Sequence, residues 1–315
     1  MTVSAVPQGV GLTEAPAKAP RRQGSAANRR RSRLAPGGLR WILPGFVLSV
    51  GLIYFCIGYN AYLSVYDYNG VGPKVFVGLG NYLKAFQNPD FWATLRHTLV
   101  FFIVGYTGQV VMGFIFAAIL HSKVRFAVVY KILIFMPVII APAIMSPVHR
   151  RVFAKEGAIN WILEHIGLGA IAQPWLAQVS TSLFVVIGVQ IWSSIGMAFI
   201  LFYASMGQVN PEMLEAARID GAGNIRILIS IILPNLRGTA IALLILKAIT
   251  SLKLFEFPYL LTRGGPINSS DFLGTYIHRE AVLQFHYGYA SALSVILLLL
   301  SVVFAIIMGS RARRD

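Results

Sequence analysis

A chain of 315 residues with 56% hydrophobic and only 12% charged side chains carries about half the charge density of a soluble domain, roughly 25%. Together with a mean hydropathy of +0.67, this excludes an ordinary soluble enzyme and leaves lipid as the medium facing the apolar surface. The net charge of +15 would suit a nucleic-acid binder, but the basic residues gather in the first 40 positions and at the edges of apolar runs. A chain oriented in a bilayer distributes its charge in this way, so no nucleic-acid partner is expected.

Residues 1–40 are rich in Ala, Pro, Gly and Arg, with Arg29, Arg30, Arg31 and Arg33 close together. Without apolar periodicity this stretch is expected to be a disordered basic tail. The apolar run from Trp41 to Tyr66 outlasts the roughly 7–15 residue core of a signal peptide and reads as an uncleaved first transmembrane helix. Hydropathy then predicts an all-α integral membrane protein with about six spans, at 41–63, 94–120, 130–148, 181–206, 237–261 and 289–309; each is near the ~20 residues needed to cross the hydrocarbon core. The transmembrane domain is thus 41–315, with a core bundle over about 94–309. Pro137, Pro142 and Pro147 predict a kink in the third span, because each removes a backbone donor. The fifth span is unusual in carrying Lys247, Lys253 and Glu256. With the N-terminus inside, 17 of the 27 Lys and Arg fall on the inner side, eight on the outer side and two within the fifth span. That asymmetry predicts that both termini are cytoplasmic.

The loop between the fourth and fifth spans, 207–236, is the most informative stretch. Asn210 is a good N-cap, Pro211 suits the first helical position, and Glu212 complements the positive end of the helix dipole. Gly221 supplies a left-handed turn after the helix, and a second apolar helix is expected from about Asn224 to Pro234. Physics alone therefore predicts helix, sharp turn, helix.

This loop resembles the EAA loop of bacterial ABC-importer permeases: Glu215-Ala216-Ala217, three residues, Gly221, nine residues, then Ile231-x-Leu233-Pro234. Ile227 stands where many members have Phe or Leu. The resemblance implies a type I importer permease fold in the bacterial inner (plasma) membrane and a coupling helix that docks on a separate ATPase dimer. By the same resemblance Ala216 and Ala217 permit close approach and Gly221 makes the turn. Glu215, Asp220 and the adjoining Ala222 belong to the same ATPase-coupling set. Leu261-Thr262-Arg263-Gly264-Gly265-Pro266 looks like the signature after the fifth span of sugar-importer permeases related to the larger maltose-permease subunit. Val77-Gly78-Leu79-Gly80-Asn81-Tyr82 and Tyr287-Gly288-Tyr289-Ala290 are similar to further stretches of that group. They imply a sugar cargo, a second homologous permease forming a heterodimer, and an extracytoplasmic solute-binding protein.

No Gly-Lys-Ser/Thr occurs in the chain, so no Walker A loop is present to cradle nucleotide phosphates. The histidines lack zinc-ligand spacing and no nucleophile–base arrangement is visible. The chain is therefore expected to hold no metal or cofactor and to catalyse nothing itself, ATP and Mg²⁺ being used by the partner ATPase. Lys253 and Glu256 are three apart, a spacing that lets them pair on one helical face near the membrane edge. Alternatively Glu256, flanked by Phe255, Phe257 and Tyr259, faces the translocation path, with Trp192 as a further stacking residue. Two other functions stay open on sequence: import of a polyol phosphate, amino acid or peptide, and ion-coupled secondary transport.

Overall fold

The computed structural model describes residues 36–122 and 124–312, with side chains over 42–122 and 124–307. The basic cluster at Arg29–Arg33 lies outside the described residues. Helix α1 (Pro36–Leu63) begins inside the stretch expected to be disordered, with proline at its first position. The chain divides within α1. Up to Ile53, nearly every described side chain is exposed, including Phe46, Leu48 and Leu52, an all-round apolar surface suited to lipid and not to water.

From Tyr54 onward, a short hairpin of β1 (Tyr66–Asp67) and β2 (Val75–Phe76) follows α1. Next come α2 (Gly80–Gln87), α3 (Pro89–His121), α4 (Ala127–Ile139), α5 (Pro142–Val152) and α6 (Ala158–His165). Then α7 (Ser182–Met206), α8 (Pro211–Ile219), α9 (Asn224–Ile227), a π-helical turn at Leu228–Ile232 and α10 (Leu233–Asn235) lead into α11 (Arg237–Leu252). Helices α12 (Glu256–Thr262), α13 (Leu273–His278) and α14 (Tyr287–Ala312) complete the chain. Among the described residues four helices are long and apolar enough to cross a membrane, or six spans if each of two bent pairs is counted as one.

Those bent pairs sharpen one predicted span and correct another. The kink predicted in the third is present as a full break: α4 and α5 meet at 101°. Of its three prolines only Pro142 breaks the helix, because Ile140 and Ala141 before it both turn extended (ψ 126° and 137°). The fifth ends at Leu252, nine residues short of its predicted end at 261, and its approach, Asn224–Asn235, meets α11 at 59°. The π-turn lies just ahead of Pro234. Widening the helix there relieves the clash of the proline ring with the carbonyl four residues back.

Helix α3 pairs most extensively with α7. Phe101, Gly105, Gln109, Gly113 and Ala117 form a buried stripe at four-residue spacing. A Cβ on Gly113 would lie 2.6 Å from Ala198 Cβ, so the two backbones approach as small-residue membrane packing allows. Gln109 Nε2 donates to the Ser194 carbonyl at 3.1 Å further along the same pair. The order of these contacts makes α3 and α7 parallel. Tyr106 donates to the Ala240 carbonyl while Phe101 meets Lys247, which makes α11 antiparallel to α3. Helix α14 runs with α3: Phe91 and Leu293, near their two starts, share one core cluster, and Phe102 meets Phe304 edge-on further along both. Alternating spans two, four, five and six require these directions. The hairpin, α2, α12 and α13 therefore gather on one face of the bundle and α8 on the opposite face.

Candidate functional site

Helix α8 is built as its sequence predicts. Asn210 accepts a hydrogen bond from the Glu212 backbone N–H at 3.0 Å, Pro211 occupies the first position, and Asp220 follows as C-cap. The backbone N–H groups of Gly221 and Ala222 donate to the Arg218 and Ala217 carbonyls at 3.0 and 2.9 Å, closing the helix end. Gly221 sits at φ +77° with no atom within 4 Å of the place a Cβ would take. The turn needs glycine for conformation, not for space. No residue of α8 is buried; Glu215, Ala216, Asp220 and Gly221 are exposed, Ala217 and Ala222 half-buried. All six predicted coupling residues thus come together on one projecting hook. The second arm continues to Asn235, one residue beyond its predicted end.

Residues predicted for the cargo path fall into two groups without a ring contact between them among the described residues. Phe255 and Tyr259 stack at 5.0 Å, and His278 of α13 closes on them at 5.2 and 4.7 Å. Glu256 is exposed beside this trio, whereas Phe257 is buried in the core. Trp192 is 38% exposed on α7 and meets His149 of α5 edge-on at 5.1 Å. His149 Nδ1 lies 2.9 Å from the Met145 carbonyl; that bond makes Nδ1 the donor and leaves Nε2 available. Lys253 and Glu256 do not share a helix. Lys253 caps α11, Glu256 opens α12, and no ion pair joins them among the described residues. The residues between them leave helical geometry at Phe255 (φ −139°), which removes the three-residue relationship. Sequence spacing identified neither His149 nor His278, because each reaches its partners from another helix.

On the hairpin face a polar clamp went unrecognised in the sequence. Asp271, almost fully buried, lies 2.8 Å from Arg279 Nη1, while Arg279 Nη2 donates to Asp90 Oδ2 at 3.0 Å. Thr275 donates to Asp271 and Arg279 to Asn268. Burial raises the Asp271 pKa, and the Thr275 hydrogen bond and the Arg279 charge oppose that shift. The clamp seats the Gly264-Gly265-Pro266 turn, whose Gly264 carbonyl accepts from the Ser270 backbone N–H at 3.1 Å. The other two signatures are also joints. Asn81 Nδ2 donates to the carbonyls of Ser64 and Tyr66 at 2.9 and 2.8 Å, tying α2 to the end of α1 and to the hairpin. A Cβ on Gly288 would lie 2.0 Å from the Tyr66 carbonyl oxygen, so only glycine lets α14 start there. Lys247, unusual in an apolar span, is buried with its Nζ 4.2 Å from the Phe101 ring centre.

Comparison with known proteins accords with this architecture. A probable ABC transporter permease, YurN of Bacillus subtilis, is 29% identical over 84% of this chain and 92% of its own length. The trehalose/maltose transport system permease MalF of Thermococcus litoralis is 28% identical over 90% of this chain and 96% of its own. A chain in the crystal structure of a bacterial ABC transporter involved in the import of the acidic polysaccharide alginate superposes with a TM-score of 0.73 at 22% identity, covering 87% of this chain and 96% of that one. Residues 39–314 match the family described as binding-protein-dependent transport system inner membrane component, and the chain belongs to that family of membrane-embedded ABC-importer permeases.

Proposed function

We propose that this chain is the membrane-spanning subunit of an ATP-driven importer that moves a sugar, of di- or oligosaccharide size or a related glycoside, into the cell. The observation that carries the reading is the exposed hook at 210–222, projecting from the bundle face opposite the signature turns. In this reading Glu215, Ala216, Ala217, Asp220, Gly221 and Ala222 seat the hook in a separate ATPase dimer, and both chain termini lie on the cytoplasmic side with it. Closure of the ATPases around ATP and Mg²⁺ draws the hook of this chain toward that of a second, homologous permease. The bent helices α10 and α11 pass that displacement into the bundle. The opposite face receives cargo from an extracytoplasmic binding protein.

A sugar is supported by the cargo named for the Thermococcus relative and by the side chains along the path. Trp192, Phe255 and Tyr259 offer flat apolar faces, and Glu256 offers acceptors for hydroxyl groups. The test is sugar-stimulated ATP hydrolysis by the complete complex in proteoliposomes, with its binding protein. Stimulation by a sugar and by no amino acid, peptide or polyol phosphate is the expected result. Uptake that ignores vanadate and collapses with the proton gradient would refute the ATP-driven reading.

A further inference from the structure

Between α8 and the end of α3 the structure holds a groove of about 600 Å³. Its walls divide by chemistry. Leu214, Ile227, Leu228 and Ile232 make an apolar floor, and the rim carries Arg218, His121 and Asn224. Leu214 and Arg218 are four residues apart and share one side of α8, facing the groove. No carboxylate lines it among the described residues. Two donors on the rim are also uncommitted: neither the Arg218 guanidinium nor the Asn224 amide has a hydrogen-bond or ion-pair partner among the described residues, while the His121 ring packs edge-on against Tyr203 at 6.0 Å. Lys131, by contrast, is engaged with the Tyr203 hydroxyl at 2.7 Å. Ala118 and His121, which line the groove, belong to the final turn of the apolar span Pro89–His121, so the groove opens at the level of the lipid headgroups.

We propose that this groove is a binding site for an anionic phospholipid, with Arg218 as the main ligand of the headgroup phosphate, His121 and Asn224 as further donors, and the floor covering the first methylenes of the acyl chains. A freely soluble phosphate would use the rim but not the floor; a zwitterionic lipid would use the floor but bring its own cation against Arg218. Lipid binding itself does not depend on the hook's role in coupling. Its consequence, that membrane composition sets how firmly α8 is held against α3, rests on that reading.

The test is native mass spectrometry of the complete complex, delipidated and then titrated with phosphatidylglycerol, phosphatidylcholine or glycerol 3-phosphate. Wild type is expected to retain phosphatidylglycerol about tenfold better than phosphatidylcholine, Arg218→Gln to lose most of that preference, and Arg218→Lys to keep part of it. Equal retention by wild type and Arg218→Gln overturns the proposal, as does competition by glycerol 3-phosphate at the concentrations where the lipid binds. Parallel ATPase assays in vesicles with and without phosphatidylglycerol separate the two readings. Loss of stimulation by Arg218→Gln in both vesicle types, with lipid retention intact, makes Arg218 an ATPase contact and refutes the lipid site while leaving the coupling reading standing.

Discussion

Gly221 shows how one backbone angle serves a mechanical task. Its φ of +77° is left-handed and the space around it is open, so a side chain there costs conformation alone, about 1 kcal/mol for alanine and less for asparagine. Gly221→Leu is therefore expected to leave the thermal stability of the complex within a few degrees of wild type while abolishing sugar-stimulated ATP hydrolysis. Gly221→Asn should retain most of it, and normal transport by the leucine variant would contradict the coupling role. The Asp271–Arg279 pair behaves in the opposite way. Asp271 is 2% exposed, so Arg279→Leu strands a buried carboxylate, at a cost of about 3–5 kcal/mol. A double Asp271→Leu, Arg279→Leu variant removes both charges and should melt closer to wild type; differential scanning fluorimetry of the purified complex checks the order. At Trp192, replacement by alanine removes the outward part of the indole together with its edge-on contact to His149. Stimulation should fall at least about tenfold if it stacks on cargo, with unstimulated hydrolysis unchanged.

At the scale of elements, the α3–α7 pair and the α4–α5 break decide how the bundle is made. Gly113→Ala drives a methyl to 2.6 Å from Ala198 Cβ, and overpacking of this kind costs about 1–3 kcal/mol. That loss should appear as a lower melting temperature and be recovered in part by Ala198→Gly. Pro142 is the joint of the broken third span. Its missing donor was legible as a kink; the 101° turn was not, because Pro137 and Pro147 have the same local chemistry yet sit inside intact helices. What distinguishes them is packing: α4 lies along α7, while α5 leaves that line to lie against α12. The fifth span illustrates the converse. An apolar run carried the predicted helix on to 261, but the chain breaks after Leu252 so that α12 can bury Phe257 and Leu261 against α7.

For the whole molecule, the parallel and antiparallel contacts imply that Ile219 on the hook and Ile267 beside the signature turn, both strongly exposed, lie on opposite sides of the membrane. In a chain whose lone cysteine is replaced (Cys56→Ser), Ile219→Cys should label with an impermeant maleimide only from the cytoplasmic side. Ile267→Cys should label only from outside, and labelling of both from one side would sink the six-span arrangement. The sequence alone determined that this chain lives in lipid, where its main spans fall, and how the hook at 210–222 is capped and turned. Those properties follow from apolar run length and from neighbours within five positions. Only the tertiary structure decided which proline becomes a joint, that Lys253 and Glu256 part company, and that Arg279 reaches Asp90 across 189 positions. Such contacts depend on which helices lie side by side, and chain-local preference carries no information about that.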